Sequence, residues 1–264
     1  DVAAGEAEAP SSPSARGPHP RVPLRAGAAW LAVEGGDVTG LIHVAVAPDE
    51  DGEGTGAVRE VGAIRAFWFR RGARGVGQAL LDVAAEHLRA EGVARLDAYR
   101  YEHRLPFYHL EHAALSWRLE HVHALLGMNG FVRREGELVL DLPDCVVADP
   151  GAPPLAVEIV LEWTASRGGR PGLIARAIER DEVVGMCVCT SAGDYAAVVE
   201  AEDWIYTAWL ATAERLRCRG LGRYLLTLAL REARDVGYRH AALCCLEHNH
   251  RALMLYTGLG YRAV

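Results

Sequence analysis

The sequence predicts an α/β (α+β) protein built from two similar domains. Three observations carry this. A glycine-bearing segment occurs twice, strand-like apolar runs alternate with amphipathic helical ones, and a proline-rich stretch separates the copies. The repeated segments are Arg74-Gly75-Val76-Gly77-Gln78-Ala79-Leu80-Leu81 and Arg219-Gly220-Leu221-Gly222-Arg223-Tyr224-Leu225-Leu226. Each precedes a helical stretch, a glycine (Gly92 or Gly237) and an apolar strand. Each copy later reaches a glycine beside an aromatic residue, Gly130-Phe131 and Gly260-Tyr261. Such self-similarity marks one supersecondary unit used twice.

Residues 1–22, rich in Ala, Pro, Ser and Gly, read as a poorly ordered tail. The first domain is expected over 23–142 and the second over 155–264. The prolines and glycine of 143–154 make that stretch the natural linker. Gly77 to Gly130 spans 53 positions and Gly222 to Gly260 only 38, so the first copy carries about 15 extra residues, assigned to Glu102–Trp117. In the second copy, Gly172–Ile178 and Val183–Thr190 read as a hairpin turning at Glu179–Glu182, and Trp204–Thr212 as a strand. Leu221, Leu225, Leu228 and Ala229 recur at helical spacing over Leu221–Val236, with Gly237 suited to the C-terminal cap. Arg239–Leu246 follows as a strand. Asn249 suits the N-cap of a helix ending near Thr257.

Composition narrows the function classes. The 28 basic residues, all Arg, face 35 acidic ones, for a net charge of -7. That balance argues against nucleic-acid binding, which needs a basic face, and suits a cationic or amine ligand. No apolar run reaches the roughly 18 residues of a spanning helix, and no signal-peptide core precedes the domains. The six cysteines include no C-x-x-C pair; four lie in strand-like runs and read as buried, reduced thiols, which points to the cytoplasm. His103, His109, His112, His121 and His123 cluster, with His121 and His123 able to share a strand face. Without a metal-binding framework they read as a polar insert on a helical hairpin, and no metal is expected. Trp204 and Trp209 suit either the core or an acceptor pocket.

Arg217-Cys218-Arg219-Gly220-Leu221-Gly222 lies between a strand and an amphipathic helix. Its glycines allow close backbone approach, and the helix start offers unpaired N–H groups and a positive dipole end. Together these can cradle a pyrophosphate. The segment resembles the R/Q-x-x-G-x-G/A signature of the GNAT superfamily of acyl-CoA N-acyltransferases. Asn249, Ala252, Tyr256, Gly260 and Tyr261 follow in that family's order, so the resemblance covers Gly172 to Tyr261. It implies two GNAT-like domains, each a mixed, mostly antiparallel twisted sheet flanked by helices. It further implies acetyl-CoA as cosubstrate, with its pyrophosphate on Arg217, Arg219, Gly220, Leu221, Gly222 and Arg223. The pantetheine arm would lie along Leu210 and Thr212, where a backbone N–H polarises the thioester carbonyl. Tyr256 is the implied general acid for the departing thiolate, against the alternative of a core tyrosine. Asn249 joins the site or serves only as a cap. The base is sought among Glu200, Glu202 and Asp203, with Glu202 the chosen candidate. Tyr206, not an acid, stands four residues before Leu210.

The first copy departs from that pattern. Gly72 stands at the Arg/Gln position and Leu126 where the Tyr should be, so this domain is expected to keep the loop and lack the acid. In the second copy only Arg262-Ala263-Val264 follows Tyr261, so either strands are lost or another segment completes the sheet. The reading is transfer of an acetyl group to a primary amine of a small molecule, by direct attack in a ternary complex, with no nucleic acid or membrane involved and a homodimer allowed. Three alternatives stay open. The tandem, Arg- and Ala-rich chain resembles actinobacterial mycothiol synthases, which acylate a cysteinyl sugar. GNAT-fold aminoacyl-transferases and a non-catalytic coenzyme-binding scaffold remain beside it.

Overall fold

In the first copy, three strands form an antiparallel meander: β1 (Arg25–Glu34), β2 (Asp37–Pro48) and β3 (Glu60–Phe69). Gly35 and Gly36, with φ of 61° and 92°, make the first turn. Helix α1 (Arg74–Ala90) then crosses over the sheet so that β4 (Leu96–Ala98) returns parallel to β3, and α2 (Glu120–Met128) follows. A parallel pair needs such a crossover. Ile42, Val44 and Val46 of β2 and Ile64, Phe67 and Phe69 of β3 bury against Leu80, Leu81, Ala84 and Leu88 of α1. The computed structural model describes residues 23–49, 60–100, 103, 115–134 and 136–264. The tail expected over 1–22 and most of the insert at 102–117, with His109 and His112, lie outside those residues.

The second copy holds a seven-stranded sheet in the order β11-β5-β10-β9-β8-β7-β6. Its strands are β5 (Glu137–Leu142), β6 (Glu158–Thr164), β7 (Gly172–Glu179), β8 (Glu182–Ser191), β9 (Trp204–Thr212), β10 (His240–Leu246) and β11 (Arg262–Ala263). Every neighbouring pair is antiparallel except β9 and β10, joined by the crossover helix α3 (Leu221–Asp235); α4 (His250–Thr257) links β10 to β11. The expected hairpin is present, its turn made by Arg180 and Asp181, both at positive φ. Leu221, Leu225, Leu226, Ala229 and Leu230 of α3 bury against Leu173, Ala175 and Cys187. Two mixed sheets flanked by helices bear out the predicted fold class.

The division of the chain differs from the expected one. The two compact units separate after Arg134, and β5, assigned by sequence to the first domain, pairs with β10 and β11 of the second. Six residues of β5 face Ala241–Leu246, which buries Leu140 and Leu142 and occupies the free edge of β10. Another segment therefore completes the sheet around the short β11. The stretch 143–154 is no free linker either. The Cys145 N–H donates to the Arg239 carbonyl (2.8 Å), Arg234 donates to the Cys145 carbonyl (2.7 Å), and Asp149 pairs with Arg231 of α3 (2.7 Å).

The histidines also correct the expected polar insert. His103 is buried, and His121 lies on α2, not on a strand, with its Nε2 on the Phe69 carbonyl (2.8 Å). His123 stacks on Trp117. No helix among the described residues is long and apolar enough to cross a membrane.

Candidate active site

Between β9 and α3 the chain makes a short 3-10 turn at Glu214–Leu216 and an extended step at Arg217. Cys218 and Gly220 then adopt positive φ, 61° and 88°. Gly220 is the N-cap of α3, and a side chain there would be strained, so the left-handed conformation explains the glycine. No side chain caps this helix end, no acid stands in its first turn, and Tyr224 is the first N–H to find a carbonyl, that of Gly220 at 3.0 Å. The N–H groups before it point out of the helix start with the positive dipole end behind them. Arg217, Arg219 and Arg223 are exposed around it, Arg217 holding Glu214 (3.2 Å) and Arg223 reaching the Gly258 carbonyl (3.4 Å). In an acidic chain this is a local concentration of positive charge. A cleft of about 520 Å³ adjoins it, lined among others by Pro154, Gly220, Arg223, Tyr224, Thr227 and Gly258.

Beside the loop the sheet opens. β9 and β10 pair only from Trp204–Thr207 to His240–Leu243, although β9 runs five residues further. A bulge at Ala208 marks the parting: Thr207 faces Cys189 and Trp209 faces Val188, with Ala208 left over. The Ala213 N–H donates to the Val184 carbonyl of β8 (2.8 Å). Alternation along the strand therefore turns the N–H groups of Leu210 and Thr212 the other way, into the opening. A Cβ on Gly222 would sit 3.7 Å from the Thr212 methyl, so strand end and helix start leave room between them. Open backbone donors running into an uncapped helix start fit an extended amide-bearing arm that ends in a pyrophosphate.

Tyr256 comes to this opening on α4. It is 7% exposed, and its hydroxyl makes no hydrogen bond among the described residues. Burial, with smaller contributions from the Cys245 and Cys187 thiols, pushes the phenol above its usual range. Cys187 lies opposite Leu210 on β8, and Cys245 lies beyond Leu243, the last residue of β10 that pairs with β9, so the two thiols near the phenol stand on the strands either side of β9. The carboxamide of Asn249 accepts the Ala252 N–H (3.2 Å) and caps α4.

The structure brings Leu210, Thr212, the Arg217–Arg223 loop and α4 to one end of the sheet. It does not bring Glu202 there. Glu202 sits in the 3-10 turn before β9, against Gly169 and Gly193, and Asp203 is paired with Arg170 (2.9 Å). The six strand steps from Trp204 to Leu210 alone put about 20 Å between Glu202 and the opening. Trp204 stacks on His240 and Trp209 is 41% exposed. Sequence reasoning missed the Ala208 bulge, which leaves no compositional mark, and missed Pro154, hidden in the supposed linker.

Residues 141–261 match the model of the acetyltransferase (GNAT) family. Among solved structures, the chain is similar to a tandem GNAT protein from the clavulanic acid biosynthesis pathway, with 18% identity over 92% of this chain and 82% of that one, at a TM-score of 0.58. It is also similar to the GCN5-related glucosamine N-acetyltransferase region of a fungal multi-domain GH3 beta-N-acetylglucosaminidase (14% identity, 87% of this chain, TM-score 0.60). This chain spans only 31% of that protein. A GNAT-family acetyltransferase from Colwellia psychrerythraea gives 10% identity over 89% and 82% of the two chains, with a TM-score of 0.50. At these identities the likeness is one of fold. No protein with a curated description matches the sequence.

Proposed function

We propose that the chain, whose residues 141–261 match the model of the acetyltransferase (GNAT) family, moves an acetyl group from acetyl-CoA to a primary amine of a small molecule by direct attack in a ternary complex. The observation that carries the reading is the parting of β9 and β10 beyond Thr207, with the Leu210 and Thr212 N–H groups turned into it beside an uncapped helix start. In this reading those two donors hold the pantetheine arm and polarise the thioester carbonyl as negative charge develops on its oxygen. The N–H groups from Arg219 to Arg223, with the Arg217 and Arg223 side chains, hold the pyrophosphate. Tyr256 donates its proton to the departing thiolate; its raised pKa keeps that proton in place at neutral pH. Asn249 acts through its cap, fixing the start of the helix that carries Tyr256. Glu202 is left out of the chemistry because of its distance from the opening; the amine attacks in its neutral form, and the proton its nitrogen sheds on becoming the amide passes through water to the Tyr256 phenolate and restores the phenol.

The test is thiol release from acetyl-CoA against a panel of primary amines. Glucosamine belongs in the panel because the fungal neighbour's region acetylates it, and a cysteinyl amine represents the mycothiol-like alternative. Amine-dependent thiol release is expected, and it should vanish in Gly220→Glu together with coenzyme binding. Coenzyme binding by calorimetry with no release toward any amine would leave a binding protein, and the proposal would fail.

A further inference from the structure

The first copy repeats the strand opening, and the two can be aligned residue by residue. Its bulge falls at Arg65, because His43 faces Ala66 while Val44 faces Ile64. Arg65 therefore corresponds to Ala208, Phe67 to Leu210 and Phe69 to Thr212. The glycines agree: a Cβ on Gly77 would point onto the Phe69 ring as one on Gly222 points onto Thr212. β3 and β4 pair only as far as Ile64 and Ala98, so this sheet parts at the equivalent place.

Here the opening is filled. Tyr99, the residue after β4, hangs on the Ile64 carbonyl through its N–H (2.9 Å) and takes a left-handed φ of 57°. That turn sends its side chain between the strands, where it is 8% exposed. The hydroxyl accepts the Phe67 N–H (2.9 Å) and donates to the Phe67 carbonyl. One hydroxyl thus satisfies both backbone groups at the position matching Leu210. Phe67 and Phe69 lie in the core of this copy with ring centroids 5.6 Å apart, and α1 begins at Arg74, so Gly75 lies inside the helix and does not form its cap. The loop expected to survive in this copy has been absorbed into the helix.

The cause of the difference lies in β5. In the second copy β5 pairs with β10 from Ala241 to Leu246, holding Cys244, the counterpart of Tyr99, in the strand opposite Val139. β4 has no such neighbour among the described residues and ends at Ala98, which lets Tyr99 turn inward.

We propose that Tyr99 is a built-in occupant of the first opening, its hydroxyl standing where an amide of the pantetheine arm would pair with Phe67. The chain therefore admits coenzyme A at the second opening alone, and Tyr99 is the latch on a latent second site. The proposal rests on the reading of the second opening given above, and the experiment separates the two. Full-length protein is titrated with coenzyme A by calorimetry, and amide exchange is followed at Phe67 and Leu210 with and without it. The wild type should bind one coenzyme, with exchange slowed at Leu210 and unchanged at Phe67. Tyr99→Cys, which installs the second copy's residue, and Tyr99→Ala should bind a second coenzyme and gain protection at Phe67. A wild-type stoichiometry of two, or coenzyme-dependent protection at Phe67 in the wild type, overturns the latch. So does a folded Cys or Ala variant that still binds one. Unchanged exchange at Leu210 overturns the reading of the second opening, while the Phe67 amide still decides the latch. Should both variants fail to fold, Tyr99→Phe keeps the ring and removes the hydroxyl. Phe67 exchange should then speed up about tenfold or more; an unchanged rate overturns the proposal.

Discussion

Replacing Tyr256 with Phe separates chemistry from stability, because the structure gives the ring and the hydroxyl different work. The ring is buried in the core formed by α3, α4 and the sheet, set edge-on to Tyr261 with centroids 6.0 Å apart. Phe preserves that packing. The hydroxyl makes no hydrogen bond among the described residues, so its removal orphans no partner, and the stability change should stay below about 1 kcal/mol. For a unit of this size that is less than about 4 °C in Tm. The catalytic effect should be far larger. A positioned general acid contributes about 10²- to 10⁴-fold, or roughly 3–5 kcal/mol of barrier. Burial, aided by the neighbouring thiols, holds the phenol protonated at neutral pH, as the proposed acid role requires. Thiol release should be followed in a single turnover, so that slow product release does not mask the step. Coenzyme affinity is measured beside it by calorimetry. The expected result is a rate at least about 100-fold lower with affinity within twofold and Tm unchanged. A rate within threefold of wild type would refute the acid role. A Tm drop beyond about 4 °C would show that the hydroxyl supports the fold instead.

Two further outcomes test the contrast between the copies and the half-buried His43. Gly77→Ala places a methyl 2.6 Å from the Phe69 ring and 2.8 Å from Leu125, both buried, and overpacking should exceed the helix-propensity gain by about 1–2 kcal/mol. Gly222→Ala meets only the Thr212 methyl at 3.7 Å, so the same change should stabilise by up to about 1 kcal/mol while weakening coenzyme binding; equal effects on thermal unfolding would contradict the filled-versus-open distinction. Burial, helped by Arg65, lowers the pKa of His43 from 6.5. The folded state then resists the proton that the unfolded state takes up, so this contribution to stability is intact above pH 6.5 and declines below it. The slope approaches one proton, about 1.4 kcal/mol per pH unit, until the folded pKa is reached. His43→Gln should flatten that part of the urea midpoint between pH 7 and 5, and a constant wild-type-to-variant difference would dismiss it.

What the sequence made legible is local chemistry, and what it hid is pairing. The turn at Arg180-Asp181, the Asn249 cap and the left-handed Gly237 that ends α3 each answer a backbone need within a few residues, so the amino acid itself announces the geometry. Strand β9 was legible over its full length for the same reason. The bulge at Ala208 was not, because Ala-Trp-Leu alternates equally well with or without an extra residue; the register with β8 decides it. The destination of β5 was hidden in another way. Glu-Leu-Val-Leu-Asp-Leu satisfies any free edge that accepts inward Leu140 and Leu142, and proximity in sequence to Gly130-Phe131 favoured the wrong sheet. That single misassignment carries the functional asymmetry with it. Two copies with nearly the same glycine segment end with opposite openings because β5 braces β10 and leaves β4 unbraced. Cys244 stays in line on one side, and Tyr99 folds onto Phe67 on the other. A glycine motif therefore sets where an anion can sit, while the strand beside it decides whether anything can enter.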